Sequence, residues 1–175
     1  GEWDGGNLQC ASQPVFLDDE IRYYYAGSNM RHKMRWELEP QRAGLGLATL
    51  KPDRFIALAA GEEPAHLLTK PFVLASLRLF VNACVEAGGM LQVALLDAAA
   101  NPIPGFDWDD CVPLRGDSTA HAVTWRGRHL PAGPAKALTY VSLRARRARL
   151  YSIFAVGDGE TPVYHKFNLP TDGTV

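Results

Sequence analysis

Glycine and proline interrupt this chain so often that a long amphipathic helix finds no room between them. The sequence holds 16 Gly and 12 Pro, and most apolar runs last about five to eight residues before meeting Gly, Pro, Asp or Asn. Short runs that alternate with period two suit strands, whose successive side chains point to opposite faces. Segments of this kind are Pro14–Leu17, Glu20–Ala26, Gly44–Leu50, Phe55–Ala59, His66–Phe72, Ser76–Cys84, Met90–Asp97, Ala120–Trp125, Leu138–Ala145 and Leu150–Ala155. The fold expected from them is all-β: a two-sheet antiparallel β-sandwich preceded by a β-hairpin.

The hairpin signal lies in Gln13–Asn29, QPVFLDDEIRYYYAGSN, where an apolar run turns at Asp18-Asp19 into an aromatic-rich return strand. Tyr23 and Tyr25 fall on the face opposite Tyr24, so one tyrosine face is expected to be covered. A lone hairpin is marginally stable, and the chain opens on Gly1-Glu2-Trp3-Asp4 without a partner sheet ahead of it. The opening is therefore expected to belong to a larger assembly of strands.

Met30–Arg42 is charged, aperiodic and broken by Pro40, the character of a linker. In LRLFVNAC, Leu77, Leu79, Val81 and Ala83 face one side, and Arg78, Phe80, Asn82 and Cys84 the other. Arg144–Arg149, RARRAR, reads as a turn into LYSIFAV; it suggests either phosphate or anionic-sugar binding or a solvated turn paired with carboxylates. The polar stretch from Gly157 to Val175 reads as an extended tail, in which Val163, Tyr164 and Phe167 could dock on the body.

A net charge of −1 supplies no field to attract nucleic acid or an anionic membrane. Apolar stretches such as Met90–Leu96 are too short to span a bilayer. Neither nucleic acid nor membrane is an expected partner. The cysteines, Cys10, Cys84 and Cys111, show no CxxC spacing, and Cys84 is expected to be a buried small hydrophobe. His32, His66, His121, His129 and His165 lack metal-ligand spacing, so no metal and no cofactor is expected.

Carboxylate chemistry has few footholds. Asp18, Asp19 and Glu20 sit in a hairpin corner open to water. Asp107, Asp109 and Asp110 around Trp108 could ligate Ca²⁺, but their spacing does not match an EF-hand loop, and capping of backbone amides is the simpler role. Ser118 lacks the G-x-S-x-G elbow of an esterase. In AGLGLA the glycines fall within a strand pattern, where they permit close approach rather than cradle a phosphate. Trp125 ends an alternating strand and is expected in the core or at its rim.

Several segments in order resemble the C-terminal region of bacterial glycoside-hydrolase-like proteins related to families 32 and 43. They are GEWDGG, YYYAGSNMRH, AGLGLATLKPDRFIAL, TKPF and NPIPGFDWDDCVPLRGDSTAHAVTW, together covering about residues 1–155. The resemblance implies that residues 1–42 are the end of a β-propeller blade plus linker. Residues 43–156 would form a concanavalin- or jelly-roll-like sandwich, followed by the tail 157–175. In that family the catalytic carboxylates sit on earlier blades, so no catalytic residue is expected in this chain.

The function implied is a non-catalytic accessory domain that braces the propeller and contacts glycan. A free-standing carbohydrate-binding module is one alternative. A structural domain forming a homo-oligomer through the N-terminal hairpin is another. An oligo- or polysaccharide would be met by aromatic faces beside planar polar groups, because a pyranose has an apolar face and a hydroxyl rim. The candidates are Trp3, Asp4, Asn29 and His32 near the opening, with Trp36 and Trp108 as further platforms.

Overall fold

The computed structural model describes residues 2–30, 42–73, 77–130 and 138–157; the linker and tail expected from sequence lie mostly outside them. The described residues contain strands but no helix. They form two compact units, divided between Pro52 and Asp53.

The first unit is one antiparallel sheet of β1 (Asn7–Cys10), β2 (Val15–Phe16), β3 (Ile21–Ser28) and β4 (Ala43–Leu50). Asp18-Asp19 forms the expected corner, closed by the Leu17 amide on the Glu20 carbonyl at 2.8 Å. β3 is not left as half of a lone hairpin. β2 and β1 follow one another along one of its edges, pairing Phe16 with Ile21 and Cys10 with Tyr25. β4 lines the whole of its other edge, from Ile21↔Leu50 to Ser28↔Ala43. Ala43–Leu50, grouped by sequence with the later strands, thus pairs with the opening ones.

Alternation gives this sheet two unlike faces. Tyr23, Tyr25 and Gly27 share one with Gly44 and Gly46. Val15, Tyr24, Leu45 and Leu47 share the other, where all four are exposed and Leu45 retains 88% of its surface.

The second unit is built on β8 (Leu77–Leu96) and β10 (Leu138–Gly157), two 20-residue strands paired from Tyr140↔Leu96 to Gly157↔Leu77. Short strands β7 (Phe72–Val73), β6 (Ala65–Leu68) and β5 (Leu58–Ala60) follow one another along the free edge of β10. β9 (Gly116–Ala122) pairs with the first half of β8.

Sequence splits β8 and β10 into four strands and makes RARRAR a turn; in the structure the chain runs straight through as a bulge. Arg146 pairs with Met90 and Ala148 with Val85, so Arg147 alone faces Glu86–Gly89. Gly88 takes φ +75°, a left-handed conformation that carries no Cβ penalty in glycine. A Cβ on Gly89 would stand 2.6 Å from the Arg147 carbonyl oxygen, so the strands close here only over a bare α-carbon. A bulge and a tight turn draw on the same residue types, which is why local sequence does not separate them.

An extra residue also flips which side chains face inward. On β10 the inward set is Val141, Leu143 and Ala145 before Arg147, and Ala148 and Leu150 after it. A second register shift between Leu150 and Ser152 restores the odd series at Ile153 and Ala155. On β8 the four-residue excursion keeps Leu79, Val81, Ala83 and Val85 in phase with Leu91, Val93 and Leu95. Both halves of the curled sheet thus enclose one core, closed by Phe106, Leu114, Val123 and Trp125. The fold is all-β and antiparallel, as expected, with Trp125 fully buried.

The second half of β8 has loop residues rather than a strand on its outer edge. Leu114 donates to the Leu91 carbonyl, Ile103 donates to that of Leu95, and the Leu95 amide donates to Phe106, each at 2.9 Å. Between them, Cys111 Sγ accepts the Val93 amide at 3.3 Å. A buried edge must satisfy its backbone groups, and a loop can do this if it folds against the edge. Cys111, not Cys84, is therefore the buried thiol. Cys84 lies on the outward face and is only half-buried.

Candidate functional site

Of the sequence candidates, His32 and Trp36 lie outside the described residues. Trp3 and Asp4 are brought together on the glycine-bearing face of the first sheet. Trp3 lies over Gly44, where a Cβ would stand 3.3 Å from the indole, and stacks on Tyr25 at 6.1 Å with 9° between planes. Gly46, opposite Tyr25, leaves room for that ring. The Tyr25 hydroxyl donates to Asp4 Oδ2 at 2.7 Å. This bond to the carboxylate, with a smaller contribution from desolvation, raises the Tyr25 pKa above the usual phenol value.

Asn29 works elsewhere. Its Oδ1 accepts the Arg42 amide at 2.9 Å and its own amide donates to the Arg42 carbonyl at 3.1 Å. The three candidates near the opening therefore hold the sheet and its connections together. Asp4 already accepts a phenol, and Asn29 is engaged with main chain.

Trp108 sits in a different environment. A tight turn presents it, with the amides of Asp110 and Cys111 donating to the Asp107 carbonyl at 3.1 Å. Asp107 Oδ1 accepts the Trp108 amide at 2.7 Å, and Asp110 Oδ2 accepts that of Asp107 at 3.4 Å. These two carboxylates cap main-chain amides. Asp109 points outward and pairs with Arg144 at 2.9 Å.

The indole is pinned to the outward face of the second sheet. Its Nε1 donates to the Ser142 carbonyl at 3.1 Å, and Gln92 Nε2 donates to the Trp108 carbonyl at 2.9 Å. The Arg144 guanidinium lies 5.3 Å from the ring centre, and the His66 ring 5.1 Å away at a 54° tilt. Arg144 Nη2 also donates to Gln92 Oε1 at 2.9 Å.

Register explains the cluster. Arg144 is the cross-strand partner of Gln92 on β8 and of His66 on β6, so the three occupy one row across adjacent strands. Trp108 lies against that row from the loop. The product is a half-buried aromatic ring bordered by planar groups that donate and accept hydrogen bonds. Sequence reasoning found Trp108 but not His66, Gln92 or Arg144 as its companions. Only the arginine run hinted at Arg144, because the row depends on strand pairings between distant segments.

An apolar cavity of about 260 Å³ opens beneath β5 and β6, bounded by Leu58, Leu67, Leu143 and Leu150 with His66 at its edge. Among the described residues no group of three or more His, Cys, Asp and Glu is arranged to hold a metal ion. No protein-family model, curated protein or solved structure matches the chain.

Proposed function

We propose that this chain is a non-catalytic accessory module of a glycoside-hydrolase-like protein, contacting glycan through the Trp108 face of its second unit. The relation to glycoside hydrolases rests on the ordered sequence motifs. The glycan contact rests on one observation: Trp108 lies beside the row of His66, Arg144 and Gln92, with Asp109 at its border.

An indole covers the C–H face of a pyranose and removes apolar surface from water, while planar side chains around it take the hydroxyls. Buried Gln92, engaged at both ends of its amide by the Trp108 carbonyl and Arg144, together with Asp109 holds the Arg144 guanidinium beside the ring, so little of its conformational freedom remains to be lost on binding. A free-standing carbohydrate-binding module would use the same face. Calorimetric titration against a broad oligosaccharide panel tests both. Binding that disappears in Trp108→Ala, with the melting transition retained, supports the contact; binding that survives this change unaltered, or no binding to any saccharide, overturns it.

A second reading, a bracing or oligomerising β domain, is favoured by the open face bearing Val15, Tyr24, Leu45 and Leu47. Among the described residues the outer edge of β4 also lacks a strand partner, and exposed edges and apolar faces invite pairing. Sedimentation above the 19.2 kDa monomer, reversed in Leu45→Lys/Leu47→Lys, supports self-association. A monomer at all concentrations removes it.

A further inference from the structure

We propose that the glycan met at the Trp108 face carries an anionic group, a uronic carboxylate or a sugar sulfate, and that Arg146 receives it. This builds on the reading that Trp108 contacts glycan. Arg144 and Arg146 stand two positions apart on β10 before the bulge at Arg147, so both side chains leave the same outward face. Two residues of rise separate them by about 7 Å, comparable with the step from one sugar ring to its neighbour.

The arginines here differ in how their charge is met. Arg144 pairs with Asp109, Arg147 with Glu62 and Glu86, and Arg149 with Glu86. Arg146 is exposed, and its Nη2 donates to the Gly88 carbonyl at 2.9 Å, with no carboxylate pairing to it among the described residues. Arg115 behaves alike, its Nη1 donating to the next carbonyl, Gly89, at 3.1 Å.

The bulge thus gathers two guanidiniums whose charge no carboxylate offsets among the described residues. One carbonyl contact orients each and leaves further N–H groups to donate. Carboxylate and sulfate oxygens match that planar fork with charge-assisted hydrogen bonds. The chain's net charge is −1, so this positive spot is local and adjoins the aromatic site rather than reflecting a basic protein.

The test is calorimetric titration of the intact chain with neutral oligosaccharides, oligouronates, sulfated oligosaccharides and a single-stranded oligonucleotide. The expected result is binding of at least one acidic class about tenfold or more tighter than neutral sugars, weakening as salt rises. The uronate and sulfate arms identify which anion is taken. Arg146→Gln should abolish that preference while neutral binding remains, Arg149→Gln should keep it, and Trp108→Ala should lose both kinds of binding.

Equal or tighter binding of neutral sugars overturns the anionic assignment and leaves the glycan contact standing. An acidic preference untouched by Arg146→Gln overturns the role of Arg146. No binding of any saccharide overturns both readings, and oligonucleotide binding tighter than every saccharide overturns the ligand class.

Discussion

The indole Nε1 of Trp125 donates a 2.7 Å hydrogen bond to the main-chain oxygen of Val93. Trp125 follows β9, which pairs with the first half of β8, whereas Val93 lies in the second half, beyond the bulge. One side chain therefore ties the two halves of the curled sheet together. Phe106 meets the same indole edge-on at 5.3 Å. Together with Cys111 Sγ, the indole gives Val93 the backbone partners that a neighbouring strand would otherwise supply.

Trp125→Phe should keep most of the packing but leave the Val93 oxygen without that donor, costing about 1–3 kcal/mol. Trp125→Ala should cost about 3–5 kcal/mol through the cavity it creates. Urea unfolding curves measure both, and an unchanged midpoint in Trp125→Phe would show that the bond adds nothing.

Burial raises the Cys111 thiol pKa, with the Val93 amide pulling more weakly the other way. The stabilisation linked to the neutral thiol is complete below the unfolded thiol value, about 8.5, and is lost as pH rises through the folded value. The alkaline decline in stability should therefore be shallower in Cys111→Ala than in the parent chain. In the native state a thiol reagent should label exposed Cys10 quickly and Cys111 only on unfolding. Equal labelling rates for the two would contradict this.

Gly89→Ala should destabilise by about 1–3 kcal/mol or more, since its Cβ would press on backbone rather than on a side chain able to move. A Cβ at Gly61 meets nothing within 4 Å, so Gly61→Ala serves as the control. Thermal melts in which both substitutions behave alike would remove the close approach at the bulge as the cause.

Tyr25 should ionise late in an ultraviolet titration, because its hydroxyl proton is held by the Asp4 carboxylate. Asp4→Ala should return part of the tyrosinate signal toward lower pH. An identical titration curve would mean that the contact is not kept in solution.

Much of the strand content is visible before any coordinates. The Asp18-Asp19 corner, the run leading into Trp125 and the alternation through Leu79, Val81 and Ala83 are local patterns, and each lies in or beside a strand as the pattern implies. β1 gave no such signal, since Asn7–Cys10 is short and lacks a consistent buried face.

The candidate site divides along the same line. Trp108 stands out as an aromatic among carboxylates, and the capping roles of Asp107 and Asp110 follow from ordinary turn chemistry. Its companions come from β6, β8 and β10, which the chain visits far apart.

Residue order alone settles that this chain makes alternating strands, because period two is written within each segment, but it does not settle where the two long ones run on. Which strands become neighbours, and with what register, is decided by folding as a whole. A bulge at Arg147 reverses the facing of every following residue until a second one corrects it, and no local pattern states where those reversals fall. Tertiary pairing alone therefore sets Arg144 between His66 and Gln92 and lets a loop, a thiol and an indole finish the edge of β8.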